Sequence, residues 1–335
     1  MMGAGMAVTR DWLHEVALGR IPGARIVQKF GLIADTDAAD GDEVIQEGEG
    51  AYKGHTATGV ETVEFLSSSA EDAGTVLSTG TLTGGSATTA ADTGATFSTD
   101  GGLAGHIIIN DTKKDHAIVT SLTETVLTHK GWRHNTTPAV GDTYRLVKVL
   151  ATKTGAAVVR ANQLLDANGA EQVEYIVMNG TTGVDSSGTY SRHHRAKVVL
   201  AGTALGSVGV LTSRQKTTTT NIFMAMIIGY NSTMITAYTI PAGEDGWILD
   251  WGTSLAGKTQ ADGICKLQSR PTGQVYEVKE QRAISASGSS NQDRTYRTLK
   301  DGLPPWTDLY VTVDADTNDT SIAGYLELLM ITRPT

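Results

Sequence analysis

The chain of 335 residues has a single cysteine, few strong helix formers and no long apolar run. Cys265 cannot form a disulfide within the chain, so the fold does not depend on an oxidising compartment. No apolar stretch approaches the span of a membrane helix, and the N-terminal residues contain no apolar segment of signal-peptide length. We therefore expect a soluble protein that is made in a cytoplasm and that does not bind a membrane.

Positive charge is also scarce. The chain has 27 Lys and Arg residues against 36 Asp and Glu residues, which gives a formal net charge of -9. Non-specific affinity for nucleic acids comes mainly from Lys and Arg side chains. Because the sequence is acidic and has no basic stripe, we do not expect it to bind nucleic acid.

Thr and Gly are abundant, and the composition predicts an all-β protein. Hydrophobic residues make up 40% and charged residues 19%, as in a globular chain rather than a disordered one. Thr favours strands, and Gly serves turns and bulges. Runs of strand length, separated by turn residues, follow one another through residues 221–335 at the spacing of a sandwich. We predict β-sandwich domains of the jelly-roll or immunoglobulin-like type.

Changes in sequence texture divide the chain into four regions. Residues 79–99 consist mostly of Thr, Gly, Ala and Ser, and the strand-like segments after them have turn chemistry of their own. We interpret this part as a small β-module inserted into a larger β-domain. The predicted regions are an N-terminal arm (1–23), a β-domain (24–75 plus 150–220), the inserted module (76–149, with strands at 106–110, 116–122, 125–129 and 143–149) and a C-terminal sandwich (221–335).

The N-terminal arm is too apolar for a free tail. Residues 11–18 could form two helical turns, which Gly19 and the Pro22-Gly23 pair would end. The apolar side chains either pack on their own domain or dock on a neighbouring subunit. The candidate assembly contacts are Trp12, Leu13, Val16 and Leu18.

One segment matches a phosphate-binding loop literally. Gly252 to Thr259 has the pattern G-x4-G-K-T and follows a strand. The chemistry requires a helix that starts at the Lys-Thr pair, so that its aligned N–H groups and dipole hold the phosphates. Gly263 would interrupt such a helix after one turn, and the apolar residues around Cys265 indicate another strand. We predict a hairpin loop and no nucleotide site.

Acidic residues imitate a metal site in two places. Asp314 to Asn318 resembles the start of a calcium loop, but Asp319 replaces the required Gly and Tyr325 stands where a bidentate Glu is needed. A solvated loop between strands is the better interpretation. The second place is a Gly-containing loop where a weak cation site stays open; it contains Asp35, Asp37, Asp40 and Asp42.

No arrangement of residues indicates catalysis. His193 and His194 are neighbours, and in a regular strand they would face opposite ways and could not share a metal ion. Cys265 lies in an apolar strand pattern, which is typical of a buried and inert thiol. The sequence contains no nucleophile elbow. We therefore predict no catalytic residue, no cofactor and no metal ligand, and we expect that the protein is not an enzyme.

Several short segments in a fixed order resemble structural proteins of tailed bacteriophages. The most informative is Ala-Tyr-Thr-Ile-Pro-Ala-Gly at 237–243, between an apolar run and a Trp-rich run, which is similar to a segment in the C-terminal β-domain of that family. The other segments are Gly19–Gly31, Leu165–Gly169, Glu174–Thr182, Ile228–Ser232, Arg270–Gly273 and Leu303–Asp308.

The resemblance covers most of the chain outside 75–149 and implies a non-enzymatic virion component, synthesised in the host cytoplasm. Its partners would be further copies of itself and other virion proteins. We expect a capsid decoration or cement protein, or a head–tail accessory protein, assembled as symmetric copies. The alternative is a tail or fibre protein that contacts host surface glycans.

Host contact would require aromatic and polar residues on an exposed loop. The inserted module offers one such cluster, Trp132, Arg133 and His134. For Trp132 the favoured interpretation is that it belongs to the core of the module. The three residues are the candidate host contacts.

Overall fold

The computed structural model describes residues 12–39, 41–46, 59–256, 262–285, 291–295 and 302–334. In chain order the elements are the helix α1 (Trp12–Ala17) and the strands β1 (Ala24–Thr36), β2 (Glu43–Val44), β3 (Glu61–Ser67), β4 (Gly74–Thr81), β5 (Gly84–Gly85), β6 (Thr89–Ala91), β7 (Ile107–Asn110), β8 (Asp115–Leu122), β9 (Val126–His129), β10 (Thr143–Val149), β11 (Ala156–Leu165), β12 (Glu171–Val177), β13 (Val184–Tyr190), β14 (Arg192–Ala201), β15 (Leu211–Gln215), β16 (Ile222–Met226), β17 (Ala237–Thr239), β18 (Glu244–Ala256), β19 (Asp262–Arg270), β20 (Glu277–Ser285), β21 (Asn291–Thr295), β22 (Asp308–Ala315) and β23 (Thr320–Thr332).

The fold is all-β, as predicted. Strands make up 56% and helix 2% of the structure, and the sheets are antiparallel. The chain divides into two compact units. The first unit consists of Met1–Ala51 and Ile235–Thr335, and the second consists of Tyr52–Met234.

The first unit is a β-sandwich. One sheet has the strand order β1-β23-β18-β21, and the other has the order β17-β22-β19-β20, with β2 pairing to β22. Along β19 every second residue is buried, so that one face of the strand turns to the core. The core contains side chains of both sheets, among them Val27, Trp251, Leu267, Val311 and Leu326.

Helix α1 packs on the first sheet of the same unit. Val16 is buried in a small cluster with Leu249 and Leu329, and Leu13 packs against that cluster. The helix ends at Ala17, and Gly19 follows it with a φ of 68°, which suits a residue without a side chain.

The second unit holds a pair of sheets and a larger third one. The pair consists of β12-β11-β14 and β13-β3-β15-β16. The buried residues between these two sheets include Phe65, Val159, Leu164, Ile176 and Phe223.

The third sheet of this unit has seven strands in the order β4-β10-β7-β8-β9-β6-β5, all from residues 74–149. It has its own core, in which Phe97, Trp132, Tyr144 and Leu146 are buried. A further buried cluster joins this module to β11 and β12 of the same unit; it contains Ile107, Ile109, Val147, Val158 and Tyr175.

The pairing differs from the predicted domain boundaries in two places. Strand β1 does not belong with 59–75 and 150–220, because it pairs along its length with β23. Strand β16 was assigned to the C-terminal sandwich but pairs with β15 in the second unit. The reason is that the sandwich is completed by the N-terminal strands, and the second unit is inserted between β2 and β17.

Candidate functional site

The four arm residues have two different environments. Leu13 and Val16 face the chain's own sheet, next to Leu249 and Leu329. Trp12 and Leu18 point outward and are 44% and 49% exposed. Of the four candidate assembly contacts, only Trp12 and Leu18 present a free surface.

The three candidate host contacts are also divided. Trp132 is buried in the module core, where its ring packs edge-on against His129 with the centroids 4.8 Å apart. Its indole N–H points to the carbonyl of Ser86, at 3.4 Å. Trp132 is therefore a core residue and cannot contact a host, whereas Arg133 and His134 are exposed.

Asp115 fixes the loop that carries Arg133 and His134. Its fully buried carboxylate accepts hydrogen bonds from the backbone N–H of His134, from the His134 ring at 2.9 Å and from the Thr136 hydroxyl at 2.6 Å. Burial raises the pKa of Asp115, but these hydrogen bonds outweigh it and hold the pKa below its usual value. The carboxylate stays ionised, which rigidifies the loop.

His116 connects this loop region to the β11–β12 side of the unit. Its Nδ1 lies 2.9 Å from the hydroxyl oxygen of Tyr175, and the two rings are 5.3 Å apart. Burial lowers the pKa of His116 to about 4, and the charges of His134, Arg160 and Lys197 act in the same direction while Asp115 opposes them. At neutral pH the imidazole is therefore uncharged.

Beside Tyr175, the three-stranded sheet carries a row of cations. Arg160 on β11 lies opposite Tyr175 on β12 and opposite Lys197 on β14. One step along, Asn162 lies opposite Arg195. Because strand residues alternate between faces, these side chains share one face.

We call the set Arg133, Arg160, Arg195 and Lys197 the basic face. Burial, and then the charges of Arg160, Arg133 and Arg195, lower the pKa of Lys197. Arg133 is held near this face because its backbone N–H donates a hydrogen bond to the carbonyl of His116, at 2.9 Å, and His116 contacts Tyr175. The three side chains on the sheet are half-buried, and Arg133 is exposed. The sequence did not predict this face, because it requires the register of three strands and the position of a loop in another sheet.

The remaining motifs have structural environments. Gly252 to Leu255 lie inside β18, the segment around Lys258 falls outside the described residues, and β19 begins at Asp262. Strands β18 and β19 belong to different sheets, so they do not pair as the two arms of the predicted hairpin. A helix continuing past Asp262, as a phosphate loop needs, is not formed.

The acidic loop residues come together only in part. Asp35 and Asp37 lie close to Asp319, with carboxylate oxygens within 4.8 Å of one another. Asp37 accepts a hydrogen bond from the backbone N–H of Asp319 at 2.8 Å. Asp42 instead pairs with Lys266, and Asp40 lies outside the described residues. The group thus joins two loops, and no ion lies in it.

The remaining sequence candidates are buried. His193 and His194 are both fully buried, and the His193 ring contacts the Ser213 hydroxyl at 2.9 Å and the carbonyl of Arg195. Cys265 is in the sandwich core, and burial raises the pKa of its thiol to about 11. A thiol with such a pKa is a poor nucleophile.

Residues of the segment 237–243 stabilise the sandwich and turn the chain. Tyr238 is fully buried, and its hydroxyl accepts a hydrogen bond from Arg25 at 3.0 Å. The Thr239 hydroxyl donates to buried Asp308 at 2.7 Å, and Arg270 binds the other oxygen of that carboxylate at 2.9 Å. Gly243 turns the chain with a φ of 81°. Through these contacts the segment stabilises the sandwich.

A cavity of about 380 Å³ lies inside the second unit, between the module and strands β12 and β13. Most of its charged lining is already paired, and the exception is Lys114, which has no salt bridge among the described residues. Arg145 binds Asp111 at 2.7 Å, Glu174 accepts the backbone N–H groups of Ser187 and Gly188, and Asp185 pairs with Lys216. The basic face gathers four cations that have no salt bridge among the described residues, so it is the better candidate for a ligand.

Comparison with known proteins does not indicate a function, so the function has to be inferred from the structural observations above. No protein-family model matches the chain, and no curated protein matches it. Among the described residues there is also no helix of the length and apolarity needed to cross a membrane.

Proposed function

We propose that the chain is a non-enzymatic structural protein of a tailed-phage virion. It would act as a capsid decoration or cement protein, or as a head–tail accessory protein, in symmetric copies and in contact with other virion proteins. The segments that resemble that family, and the order in which they follow one another along the chain, support this role. In particular, Tyr238 and Thr239 of segment 237–243 brace the sandwich and take no part in a reactive site.

The observation that carries the assembly role is an apolar surface at the edge of the sandwich. Strand β20 pairs only with β19 among the described strands. Val275 and Val278, before and on this strand, are 79% and 52% exposed. A sheet edge that is not covered presents unpaired backbone N–H and C=O groups, which can pair with another chain. We expect a second copy of this chain to cover β20.

The local sequence suits pairing between two copies. Glu277, Val278 and Lys279 follow one another on β20. Within one chain, Nζ of Lys279 lies 2.6 Å from Oε2 of Glu277. In an antiparallel pair centred on Val278, Glu277 of one copy stands opposite Lys279 of the other. A two-fold contact places the same patch on both copies, so this pattern is self-complementary.

Light scattering coupled to size-exclusion chromatography tests the contact. The wild-type chain should form a dimer or a larger symmetric assembly, and Val278→Lys should shift it towards the monomer. Ile118→Lys is the matched control, because Ile118 is 56% exposed but lies in the module. A wild-type chain that stays monomeric at high concentration, or a Val278→Lys variant that assembles normally, would contradict the proposal.

The virion role has its own test. Peptides of the chain should be found by mass spectrometry in purified tailed-phage particles, and a labelled antibody should mark the head or the head–tail junction. Labelling of the tail tip or fibres would favour the second candidate, a tail or fibre protein that contacts host glycans. The basic face is the observation that favours this second candidate.

A further inference from the structure

We propose that the basic face binds a saccharide that carries an oxyanion, either a carboxylate or a phosphate. The site consists of Arg133, Arg160, Arg195 and Lys197, with Asn162 beside them. This inference does not rest on the virion role, since it follows from the geometry of the second unit alone.

The first argument is uncompensated charge. None of the four cationic side chains forms a salt bridge with a carboxylate in the part of the chain that the structure describes. The nearby carboxylates are occupied: Asp115 binds His134 and Thr136, and Asp111 binds Arg145. In a chain of net charge -9, a group of four adjacent cations is a local concentration of positive charge. Oxyanions are the natural partners of such a group, because guanidinium and ammonium groups form short, charge-assisted hydrogen bonds with them.

The second argument is a pair of unsatisfied polar atoms on the same face. Nε of Arg160 and Oδ1 of Asn162 are both buried, and neither has a hydrogen-bond partner among the described residues. Buried polar groups are nearly always paired, since an unpaired one is costly. One atom is a donor and the other an acceptor. A ligand that satisfies both must offer an acceptor oxygen and a hydroxyl donor a short distance apart.

Sugar acids and sugar phosphates meet this requirement, because they combine an oxyanion with hydroxyl groups. Nucleic acid also supplies phosphates, but single strands bind through bases stacked on exposed aromatic rings. The aromatic residue of this site, Tyr175, is buried and bound to His116. The face therefore suits a charged saccharide better than a nucleic acid.

Calorimetric titration of the full chain tests the site with defined probes. Glucuronate carries a carboxylate on a sugar, and glucose 6-phosphate carries a phosphate on the same kind of sugar. Glucose supplies the sugar without an oxyanion, and inorganic phosphate supplies an oxyanion without the sugar. The charged sugars should bind saturably and more tightly than either half. Lys197→Ala and Arg160→Gln should each weaken binding by about tenfold or more, as expected for the loss of a charge-assisted hydrogen bond.

Two further variants control for charge and for folding. Arg20→Ala removes one positive charge from an exposed position in the other unit and should leave the affinity unchanged. Arg133→Ala changes an exposed loop residue, so it keeps the fold even if Arg160→Gln does not, and it should also weaken binding. Thermal unfolding of each variant confirms that it is folded.

The proposal is overturned by any of four results. These are the absence of saturable binding of both charged sugars, equal weakening by Arg20→Ala, inorganic phosphate binding as tightly as the sugars, and single-stranded DNA binding more tightly than the sugars. A virion role that fails while the charged sugars bind leaves this site standing, because the two experiments are independent.

Discussion

The guanidinium group of Arg282 lies over the indole ring of Trp251, with the guanidinium carbon 4.2 Å from the ring centroid. Both residues are buried in the sandwich. Glu280 completes the arrangement: it accepts a hydrogen bond from the Trp251 indole at 3.2 Å and binds Arg282 at 3.3 Å. Cation–π contacts gain strength when they are shielded from water.

This arrangement predicts a measurable loss of stability. Arg282→Met keeps most of the side-chain volume but removes the guanidinium group from the Trp251 ring and from Glu280, and it should lower the free energy of unfolding by about 2 kcal/mol. Arg20→Met, at an exposed position of the same unit, is the control and should change it by less than about 0.5 kcal/mol. Urea unfolding measures both. Equal effects would show that the stack does not stabilise the sandwich.

Asp72 should be one of the most sensitive positions in the second unit. Its buried carboxylate accepts the hydroxyl of Ser67 at 2.6 Å and the backbone N–H groups of Ala156, Val208 and Gly209. Asp72→Asn replaces an acceptor oxygen with a donor, so at least one of these N–H groups loses its partner. We expect a loss of about 2–3 kcal/mol in the free energy of unfolding.

Asp166 provides the matched control for that change. It also accepts backbone N–H groups, from Asn168 and Ala170, but in an exposed turn where water can replace it. Asp166→Asn should lower the free energy of unfolding by less than about 1 kcal/mol. If both variants unfold at the same urea concentration, Asp72 does not have the structural role that its contacts indicate.

His116 should make stability depend on pH. Its pKa of about 4 in the folded chain lies below the usual 6.5, so the unfolded chain binds more protons between these values. The free energy of unfolding should therefore fall as the pH drops from about 6.5 to 4, and this contribution is fully present above 6.5. The two pKa values set an upper limit of about 3 kcal/mol.

The measurement is the slope of stability against pH rather than stability at one pH. His116→Gln should flatten the slope between pH 6.5 and 4, even if it lowers the baseline by disturbing the contact with Tyr175. His14→Gln, at an exposed position of α1, should leave the slope as it is. An unchanged slope in His116→Gln would mean that folding does not lower the pKa of His116.

Trp132 and Arg133 are adjacent in the module, but Trp132 lies in its core and Arg133 lies on its surface. Trp132→Ala should lower the free energy of unfolding by about 3–5 kcal/mol, because it empties a large part of the module core. Arg133→Ala should change it by less than about 0.5 kcal/mol. Thermal unfolding followed by circular dichroism compares the two. A small effect of Trp132→Ala would contradict the assignment of Trp132 to the core.

Local features of the fold were predictable from the sequence, because alternating apolar residues and turn residues mark strands directly. The strand predicted at 116–122 is observed as Asp115–Leu122, and the one at 143–149 is observed as Thr143–Val149. The partner of a strand is not encoded locally in the same way. Strand β1 was therefore assigned to the wrong neighbours, because its partner β23 lies at the other end of the chain.

The same limit applies to the candidate site. Arg133 and His134 were predicted as surface residues from their loop composition, and both are exposed. Arg160 and Lys197 could not be joined to them, because only the β11–β14 register makes those two neighbours. Trp132 is a residue type that is common in binding sites on the surface, but here it is buried. The sequence alone does not distinguish an aromatic residue on an exposed loop from one in a core.

The pairing of β1 with β23 has a consequence for synthesis. Gln28 and Glu327, which bond across these strands, are 299 positions apart in the chain. As the polypeptide leaves the ribosome, β1 must wait without its partner while the whole of Tyr52–Met234 is made, and that unit can fold first. The sandwich closes last, after the C-terminal strand is released. Until then its apolar strands are open to neighbouring chains, so copies of this protein can pair wrongly during this interval.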